Sequence, residues 1–385
     1  MSARSLPQPS YGTHDPGPEG RDVRLDFFRA LALLLIFVAH MPGNSLAQYR
    51  PGCFGFSDSA DIFVFVSGCA AAIAYSKIFR RAGFVAGTAR VLKRCSELYA
   101  CHLGLFFAVA MLLVAGNKWL DTDVDYIALL NLGYFFEHTR EALLGLFTLT
   151  YVPNYFDILP MYMVAMAMLP LVMLIAQLHV ALAGALCVAL YVAVPLFGWE
   201  LPAEIAFDRP WFFNPFSWQL LFYTGFFLGT GWVKTPRSRV WLTACCASYV
   251  TLSIPLSYYP AYSGVGWLNA VQKALGPLIN KTDLGILRLL HFWCLAYLAV
   301  GLLRGREHVL RGRVVAPIVK TGQQALPVFL TGMALSHLGG MTLDVWGRSI
   351  GTTVVMNVAG FVFLTLTAYV VAWFKSQPWR SAKTT

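Results

Sequence analysis

The chain has 385 residues, of which 57% are hydrophobic and only 12% are charged. Soluble globular proteins carry about twice that share of charged residues, so the composition excludes that class and predicts a polytopic membrane protein. The formal net charge is +10. It does not indicate nucleic-acid binding, because the basic residues lie at the ends of apolar runs rather than in one patch with aromatic residues.

Ten apolar runs are long enough to cross a bilayer, which takes about 20 residues. They predict an all-α fold with about ten transmembrane helices. The fourth and fifth runs are separated only by residues 177–179, so one long kinked element in place of two spans is the alternative. The ten runs lie near residues 27–46, 60–79, 98–116, 156–177, 180–197, 216–233, 240–257, 284–303, 317–338 and 350–374.

The connectors between these runs alternate in charge. Cations collect before the first run and in segments 77–94, 234–239, 304–313 and 375–383, whereas the other connectors are acidic or mixed. By the positive-inside rule both termini lie in the cytoplasm, which requires an even number of spans. The predicted organisation is a disordered cytoplasmic tail rich in Pro, Gly and Ser, one transmembrane domain and a second cytoplasmic tail, at residues 1–20, 21–375 and 376–385.

The first run carries two ionisable residues, Arg29 and His40. On a helix, eleven positions of about 100° bring them to within roughly 20° of one face, about 16 Å apart along the axis. Ionisable groups inside a bilayer are costly and usually face a polar interior, so the pair is a candidate functional site. Alternatively, Arg29 extends its charge to the membrane surface and His40 caps the helix before Met41.

Two carboxylates, Asp58 and Asp61, lie one helical turn apart where the second run begins. Either could accept a hydrogen bond from the His40 ring and fix its tautomer, as carboxylates do for many catalytic bases. Acidic residues are also favoured at helix N-termini for electrostatic reasons alone. Both interpretations remain open for each residue.

The connector after the second run is unusually basic and places Arg90, Lys93 and Arg94 within about one helical turn. Topology explains most of this density. A cytosolic ligand that bears phosphates would also explain it, because guanidinium groups bind phosphate through two hydrogen bonds.

Aromatic and amide residues meet at Asn214, Trp218 and Gln219, at the outer start of the sixth run, and Asp157 lies similarly at the outer start of the fourth run. Aromatic residues are common at every membrane interface. The same combination also suits a sugar, whose C–H face stacks on an aromatic ring while its hydroxyls need donors and acceptors. The two interpretations carry equal weight.

Arg288 and His291 are three residues apart and so share one helical face. They could line the same cavity as His40, or they could form a polar contact between helices. For His102 an interhelical hydrogen bond is the expectation. The eight cysteines form no CxxC pair, so neither a disulfide framework nor a structural metal site is indicated.

The same stretches resemble the OpgC family, bacterial inner-membrane proteins that succinylate osmoregulated periplasmic glucans and are similar to the wider acyltransferase-three superfamily. The Arg29 and His40 spacing matches the superfamily signature that marks the catalytic histidine. Two departures are Cys69, where an aromatic residue is expected, and Asp61, where Glu is more usual. The resemblance runs from about Arg21 to the last span and rests on RDVRLDFFRALALLLIFVAHMPGN, FGFSDSADIFVFVSG, RRAGFVAGTARVLKR with ELYACHL, NYFDILPMY, FFNPFSWQLLFYTGFFLG, LRLLHFWCLAYL and GQQALPVFLTG.

The resemblance implies a multi-pass O-acyltransferase of the bacterial inner membrane that moves a succinyl or similar acyl group from cytosolic acyl-CoA to hydroxyls of a periplasmic glucan. It implies succinyl-CoA or another acyl-CoA as the donor substrate, membrane lipid as the surroundings, no permanently bound cofactor, no metal and no nucleic acid. The implied catalytic residues are His40, Asp58 and Asp61. The implied acyl-CoA-binding residues are Arg29, Arg90, Lys93 and Arg94, and the residues expected to line the acceptor cavity are Asp157, Asn214, Trp218, Gln219, Arg288 and His291.

Three other classes compete with this interpretation. A secondary transporter would also use buried Arg, His and Asp residues, although such proteins often show internal repeats or broken helices at midspan. A membrane glycosyltransferase with a lipid-linked sugar would place acidic residues similarly, and dependence on a thioester separates it from an acyltransferase. A non-catalytic scaffold would tolerate the loss of His40.

Overall fold

The computed structural model describes residues 22–204 and 208–383, which are mostly helical. The predicted tail at residues 1–20 lies outside the described residues. The helices are α1 Val23–His40, α2 Ser59–Arg81, α3 Gly83–Trp119, α4 Tyr126–Leu129, α5 Gly133–Glu137, α6 Thr139–Thr148, α7 Ile158–Ala167, α8 Leu169–Leu178, α9 Val180–Phe197, α10 Pro215–Thr230, α11 Val240–Ser257, α12 Tyr259–Gly264, α13 Gly266–Ile279, α14 Ile286–Leu303, α15 Ala316–Gln323, α16 Ala325–Trp346 and α17 Ile350–Ser376.

Short elements connect and cover these helices. A two-stranded antiparallel sheet pairs β1, Pro202–Glu204, with β2, Arg209–Pro210. The sheet is tied to the loop before α7, since the amide of Val152 donates to the carbonyl of Ala203 at 2.7 Å. Single turns of 3₁₀-helix cover Ser45–Tyr49, Pro51–Cys53, Glu307–Arg311 and Pro378–Lys383.

Eight helical segments in the described part of the chain are long and apolar enough to cross a membrane. The protein is therefore a multi-pass, mostly helical membrane protein, as the composition predicts. The segments Ile158–Leu178 and Val180–Phe197 are separate, so two spans rather than one long element occupy this region. The eight segments are α2, α3, α7 with α8, α9, α11, α14, α16 and α17 with its C-terminal extension.

The other two of the ten predicted spans correspond to α1 and α10, which depart from the simple pattern of a span. Helix α1 carries three charged residues, Arg24, Asp26 and Arg29, and α10 has only 16 residues. Both helices are packed inside the bundle, because Ala30 and Ala32 of α1 and most of α10 are buried. Neighbouring helices rather than lipid therefore surround their polar groups. Ten spans remains a prediction.

Helices α2 and α10 form a close interface made possible by glycines on both helices. A methyl group added to Gly229 would lie 2.9 Å from both the Ala72 side chain and the Cys69 carbonyl. Gly68 and Gly225 face the backbone of the opposite helix even more closely. Such small residues let transmembrane helices approach without a side chain between them. This interface holds α2, and with it the start of α2, in a fixed position.

The two ends of the described chain lie at the same end of the bundle. Arg24 at the start of α1 is 3.9 Å from Glu307 in the connector after α14. Lys375 at the end of α17 donates to Gln324 at the start of α16, at 2.7 Å. The ends of α1 and α16 and the starts of α2 and α17 consequently face the opposite end.

Several helices depart in detail from the predicted runs. Helix α3, which contains the third predicted span, begins at Gly83 rather than near residue 98, because the basic segment continues the helix. The ninth predicted span is interrupted at Gln324, whose φ of −113° and ψ of 45° separate α15 from α16. The fourth is broken between α7 and α8 beside Pro170, the second residue of α8, although Met168 between the two helices keeps helical angles.

Candidate active site

A cavity of about 280 Å³ lies at the end of α1 and contains the side chain of His40. It is formed by the end of α1 and the loop after it, α3, α4, the loop before α7 and α16. Its wall is mostly apolar. The cavity is lined by Ala39, His40, Met41, Pro42, Gly43, Asn44, Ala47, Leu113, Tyr126, Leu129, Leu130, Tyr155, His337, Gly340 and Met341.

The backbone of α1 itself fixes the tautomer of His40. Nδ1 of the ring lies 2.7 Å from the carbonyl oxygen of Ile36, one turn earlier. A carbonyl oxygen can only accept a hydrogen bond, so Nδ1 carries the proton. In the neutral ring Nε2 is then unprotonated and able to accept a proton. The tautomer of His40 is therefore fixed without a carboxylate partner, and Nε2 is left as a proton acceptor.

The expected hydrogen bond from the His40 ring to Asp58 or Asp61 is wrong as a geometric prediction, since the ring donates to the Ile36 carbonyl instead. Asp58 caps α2: its carboxylate accepts from the amide of Ala60 at 2.9 Å, while Asp61 accepts from the Asp58 amide at 2.8 Å. The helix-cap interpretation of these carboxylates is the one that the contacts support.

Both carboxylates also belong to a charge cluster, which consists of Asp58, Asp61, Lys281 and Arg288. Lys281 Nζ is 2.6 Å from Asp58, and Arg288 Nη2 is 3.2 Å from the same oxygen. The Arg288 guanidinium binds both oxygens of Asp61, with Nε at 3.1 Å from Oδ1 and Nη2 close to Oδ2. Arg288 and Asp61 are buried. The cluster joins the start of α2 to the start of α14.

The charges in the cluster determine the protonation of Asp58, which lies just before α2. Burial alone would raise the pKa of this carboxyl, but Lys281 and Arg288 outweigh it and hold the pKa of Asp58 well below its ordinary value. Asp58 is therefore ionised at neutral pH. Lys281 and Asp58 also interact electrostatically with His40, although no residue of the cluster lines the cavity.

Arg288 and His291 do not line the His40 cavity; they form polar contacts between helices. Besides Asp61, Arg288 donates to the carbonyl of Phe56 at 2.7 Å. The hydroxyl of Ser57 is 2.8 Å from His291 Nδ1, which also accepts from the Ser57 amide at 3.3 Å. These contacts fix the loop that leads into α2.

Asn214, Trp218 and Gln219, the residues considered for sugar binding, do not line the cavity either. Trp218 is fully buried beneath Arg288 and donates to the carbonyl of Lys281 at 3.0 Å. The side-chain amide of Gln219 donates to the carbonyl of Cys187 at 2.7 Å, and Asn214 caps α10 while donating to the carbonyl of Trp199 at 2.8 Å. These residues stabilise packing in the described structure.

Asp157 likewise makes a contact within the protein. It is 1% exposed, and it accepts from the amide of Phe212 at 2.9 Å, which joins the start of α7 to the loop before α10. Burial raises the pKa of Asp157 to about 6, against the lowering effects of the Phe212 amide and of Arg209.

A family model described as OpgC protein matches residues 21–376, nearly the whole chain. The chain belongs to the OpgC family. The resemblance seen in the sequence is thereby confirmed. No curated protein and no solved structure matches the chain. Membership in the OpgC family suggests a transferase, of a kind that modifies glucans with acyl or succinyl groups.

The four cations expected to bind acyl-CoA lie at the other end of the bundle from the cavity of this OpgC protein. Arg29 is buried: its guanidinium lies 3.4 Å from the carbonyl of Val66 and 3.6 Å from Asp26. On α3, Arg90 and Lys93 are exposed, and Arg94 pairs with Glu97 at 3.0 Å. Arg90 and Lys93 are thus available to a ligand, whereas Arg29 contributes charge from within the bundle.

Sequence reasoning missed two residues of the OpgC cavity, His337 and Tyr155. His337 lies in the middle of α16, and its presence in an apolar span was the available signal. Tyr155 has φ of 71°, a left-handed conformation that is unfavourable for an aromatic residue. No sequence pattern indicates this conformation. His102 was expected to form an interhelical hydrogen bond, but neither of its ring nitrogens has a partner among the described residues.

Proposed function

We propose that this OpgC protein transfers a succinyl or similar acyl group from cytosolic acyl-CoA to a hydroxyl of a periplasmic glucan at the bacterial inner membrane. The observation that carries the proposal is His40, held as the Nδ1–H tautomer at a cavity wall near one end of the bundle. Family membership supplies the class of reaction. The geometry supports it with an imidazole at the cavity wall whose Nε2 is left to accept a proton.

The chemistry follows from the free Nε2 of His40. It accepts the proton of the sugar hydroxyl as the hydroxyl oxygen attacks the thioester carbonyl. The resulting tetrahedral intermediate collapses when the carbon–sulfur bond breaks. The CoA thiolate takes the proton from His40, so the products are the ester and CoA–SH. The imidazolium that forms in between keeps its Nδ1–H bond to Ile36.

The donor enters, in this proposal, from the end of the bundle that carries the basic start of α3. The exposed Arg90 and Lys93 attract the nucleotide phosphates, and the buried Arg29 provides positive potential along the path of the pantetheine arm. Tyr162 lies within electrostatic range of both the buried Arg29 and the partly exposed Arg94, which follows Lys93 on α3. The acyl group then meets His40 roughly 16 Å further along α1.

The acceptor approaches from the opposite end. A cavity of about 280 Å³ is slightly smaller than the usual range for small-molecule sites, roughly 300 to 1,000 Å³. It has room for the acyl group and the edge of one sugar, so the rest of the glucan remains outside. Asp157, Asn214, Trp218 and Gln219 contribute to this arrangement through packing rather than through contact with the sugar.

The proposal is tested with purified protein in detergent or nanodiscs, succinyl-CoA and an unmodified periplasmic glucan. Mass spectrometry should show succinyl esters, and thiol release should match their amount. The His40→Gln variant should fold normally and lose between about a hundredfold and ten-thousandfold in rate, the range for removal of a general base. Failure of the wild-type protein with succinyl-CoA and with other acyl-CoA donors would refute the proposal.

A further inference from the structure

We propose that His337 is a second catalytic residue, which donates a ring N–H hydrogen bond to the thioester carbonyl oxygen as this oxygen becomes negatively charged. The inference rests on the proposed function and assigns a role to a residue that the general-base mechanism does not use. Three observations carry it: the position of His337 in the cavity, its unused hydrogen-bonding capacity and the contacts of Tyr155 with both imidazoles.

His337 and His40 come from different helices but line the same cavity. His337 lies on α16, is 2% exposed and interacts electrostatically with His40. Its Nε2 atom has no hydrogen-bond partner among the described residues. A buried polar group without a partner is costly. A ligand that supplies the partner during the reaction accounts for the retention of such a group here.

The other buried polar side chains of the cavity have less capacity to donate, and the Tyr155 hydroxyl belongs to a side chain that is 46% exposed. Both side-chain N–H groups of Asn44 are engaged, with the Val38 carbonyl and the Asn357 side chain, each at 3.0 Å. The hydroxyl of Tyr126 is 3.2 Å from that of Thr122. His40 Nδ1 is committed to Ile36. Among the side chains of the cavity wall, the His337 ring is therefore the buried donor that remains for a substrate oxygen.

Tyr155 holds the two imidazoles in a defined arrangement. Its ring lies edge-on to His40, with centroids 4.7 Å apart, and 6.5 Å from the ring of His337. This contact is maintained although Tyr155 adopts a left-handed backbone conformation. Such strain, on the order of 1–3 kcal/mol, persists only where the surroundings enforce it, and it is concentrated at functional sites.

The two histidines have different roles, and together these roles account for every proton and electron pair in the reaction. His40 Nε2 removes the proton from the attacking hydroxyl, and the carbonyl π-electron pair moves to oxygen. The N–H of His337 stabilises that oxyanion, and no proton is transferred from His337 at any step. When the carbon–sulfur bond breaks, the electron pair returns to the carbonyl, and the hydrogen bond weakens again. Removal of one such donor typically costs about a hundredfold to a thousandfold in turnover.

The test compares glucan succinylation with the slower hydrolysis of succinyl-CoA by the same purified protein. Both reactions pass through an oxyanion, so His337→Ala should lower the turnover number of both by a similar factor of about 10² to 10³, with little change in KM for succinyl-CoA. His337→Gln retains an N–H donor and should recover at least about tenfold over the Ala variant. Thr342→Ala, which removes an exposed hydroxyl of the same helix, should leave both rates unchanged.

Each alternative outcome is distinct. If His337 only bound the glucan, transfer would fall while hydrolysis kept its wild-type rate, and the inference would be overturned. Wild-type rates for both reactions would overturn it as well. If His337→Ala does not fold, His337→Met fills the space without a donor and provides the same comparison. If wild-type protein uses no acyl-CoA, the proposed function itself fails; normal His40-dependent transfer with unaffected His337 variants refutes only this inference.

Discussion

Arg288 and Asp61 form a buried two-point ion pair between helices whose sequence positions are 227 residues apart. The net contribution of this ion pair to stability is small, because desolvation of two buried charges offsets most of their attraction. Its importance is that it fixes the positions of the two helices. It anchors the start of α2, where Asp58 approaches His40. We therefore assign Asp61 a structural role in the site, in place of the orienting partner of His40 that its sequence position suggested.

Removal of one member of this pair should be more harmful than removal of both. Arg288→Met leaves Asp61 buried without its guanidinium and should destabilise the protein by about 3–5 kcal/mol, the usual cost of an uncompensated buried charge. The double variant Asp61→Leu with Arg288→Met should recover much of that loss. The measurement is thermal unfolding in detergent, followed by the recovery of monodisperse protein.

A double variant no more stable than Arg288→Met would contradict this account. The surface pair Arg94 and Glu97 is the matched control, since both side chains are partly exposed. Removal of Arg94 should change stability by at most about 1 kcal/mol.

The close interface between α2 and α10 gives a second prediction. Gly225→Ala places a methyl group against the backbone carbonyl of Phe65, which cannot move without displacing α2. We expect destabilisation of at least about 1–3 kcal/mol, the cost of overpacking. Gly104→Ala is the control, because a methyl group there meets no atom within 4 Å. It should be neutral or stabilising by up to about 1 kcal/mol. Equal melting temperatures for the two variants would contradict the close approach.

The sequence predicted what depends on local pattern. Hydropathy located the apolar helices, and the spacing of Asp58 and Asp61 correctly indicated a helix N-terminus. Hydropathy did not locate the helix boundaries where the backbone changes conformation within an apolar run, as at Gln324. Helices α1 and α10 also depart from a simple span. Because neighbouring helices bury them, α1 tolerates its charged residues and α10 tolerates its short length.

The site was less predictable because its contacts are formed between distant segments. Nothing near Asp61 in sequence indicates that Arg288 will bind it, and the nearest His to these carboxylates, His40, was the natural but wrong partner. The Ile36 carbonyl that binds His40 has no side-chain signature at all. His337 becomes significant only once α16 is seen to pack beside the end of α1.

Asp157 gives a prediction about pH. Burial raises its pKa to about 6 in the folded protein, whereas an unfolded Asp has a pKa of about 3.9. The folded state therefore binds more protons between these values, so the contribution of Asp157 to stability is fully present below about pH 4 and is lost as pH rises through about 6. Above that range the buried carboxylate is destabilising, on the order of 3 kcal/mol.

The substitution Asp157→Asn should remove this dependence. Its carboxamide oxygen can still accept from the Phe212 amide, while no charge has to be buried. Melting temperatures between pH 4 and pH 8 should therefore show that Asp157→Asn gains stability over wild type above about pH 6 and loses that advantage near pH 4. A constant difference across the range would show that Asp157 keeps one protonation state throughout.

The last prediction separates donor binding from topology at the basic start of α3. Arg90 and Lys93 are exposed and lie on the helix that continues into the bundle. If they contact the phosphates of acyl-CoA, the double variant Arg90→Ala with Lys93→Ala should raise KM for succinyl-CoA by about tenfold or more, since each charged hydrogen bond contributes about 1.5–3 kcal/mol. Turnover at saturating donor should change little, because neither residue is near His40.

Lys234→Ala with Arg237→Ala removes the same charge from another basic connector and should leave KM unchanged. An equal rise in both double variants would indicate general electrostatic attraction, and no rise in either would assign residues 90–94 to membrane topology alone.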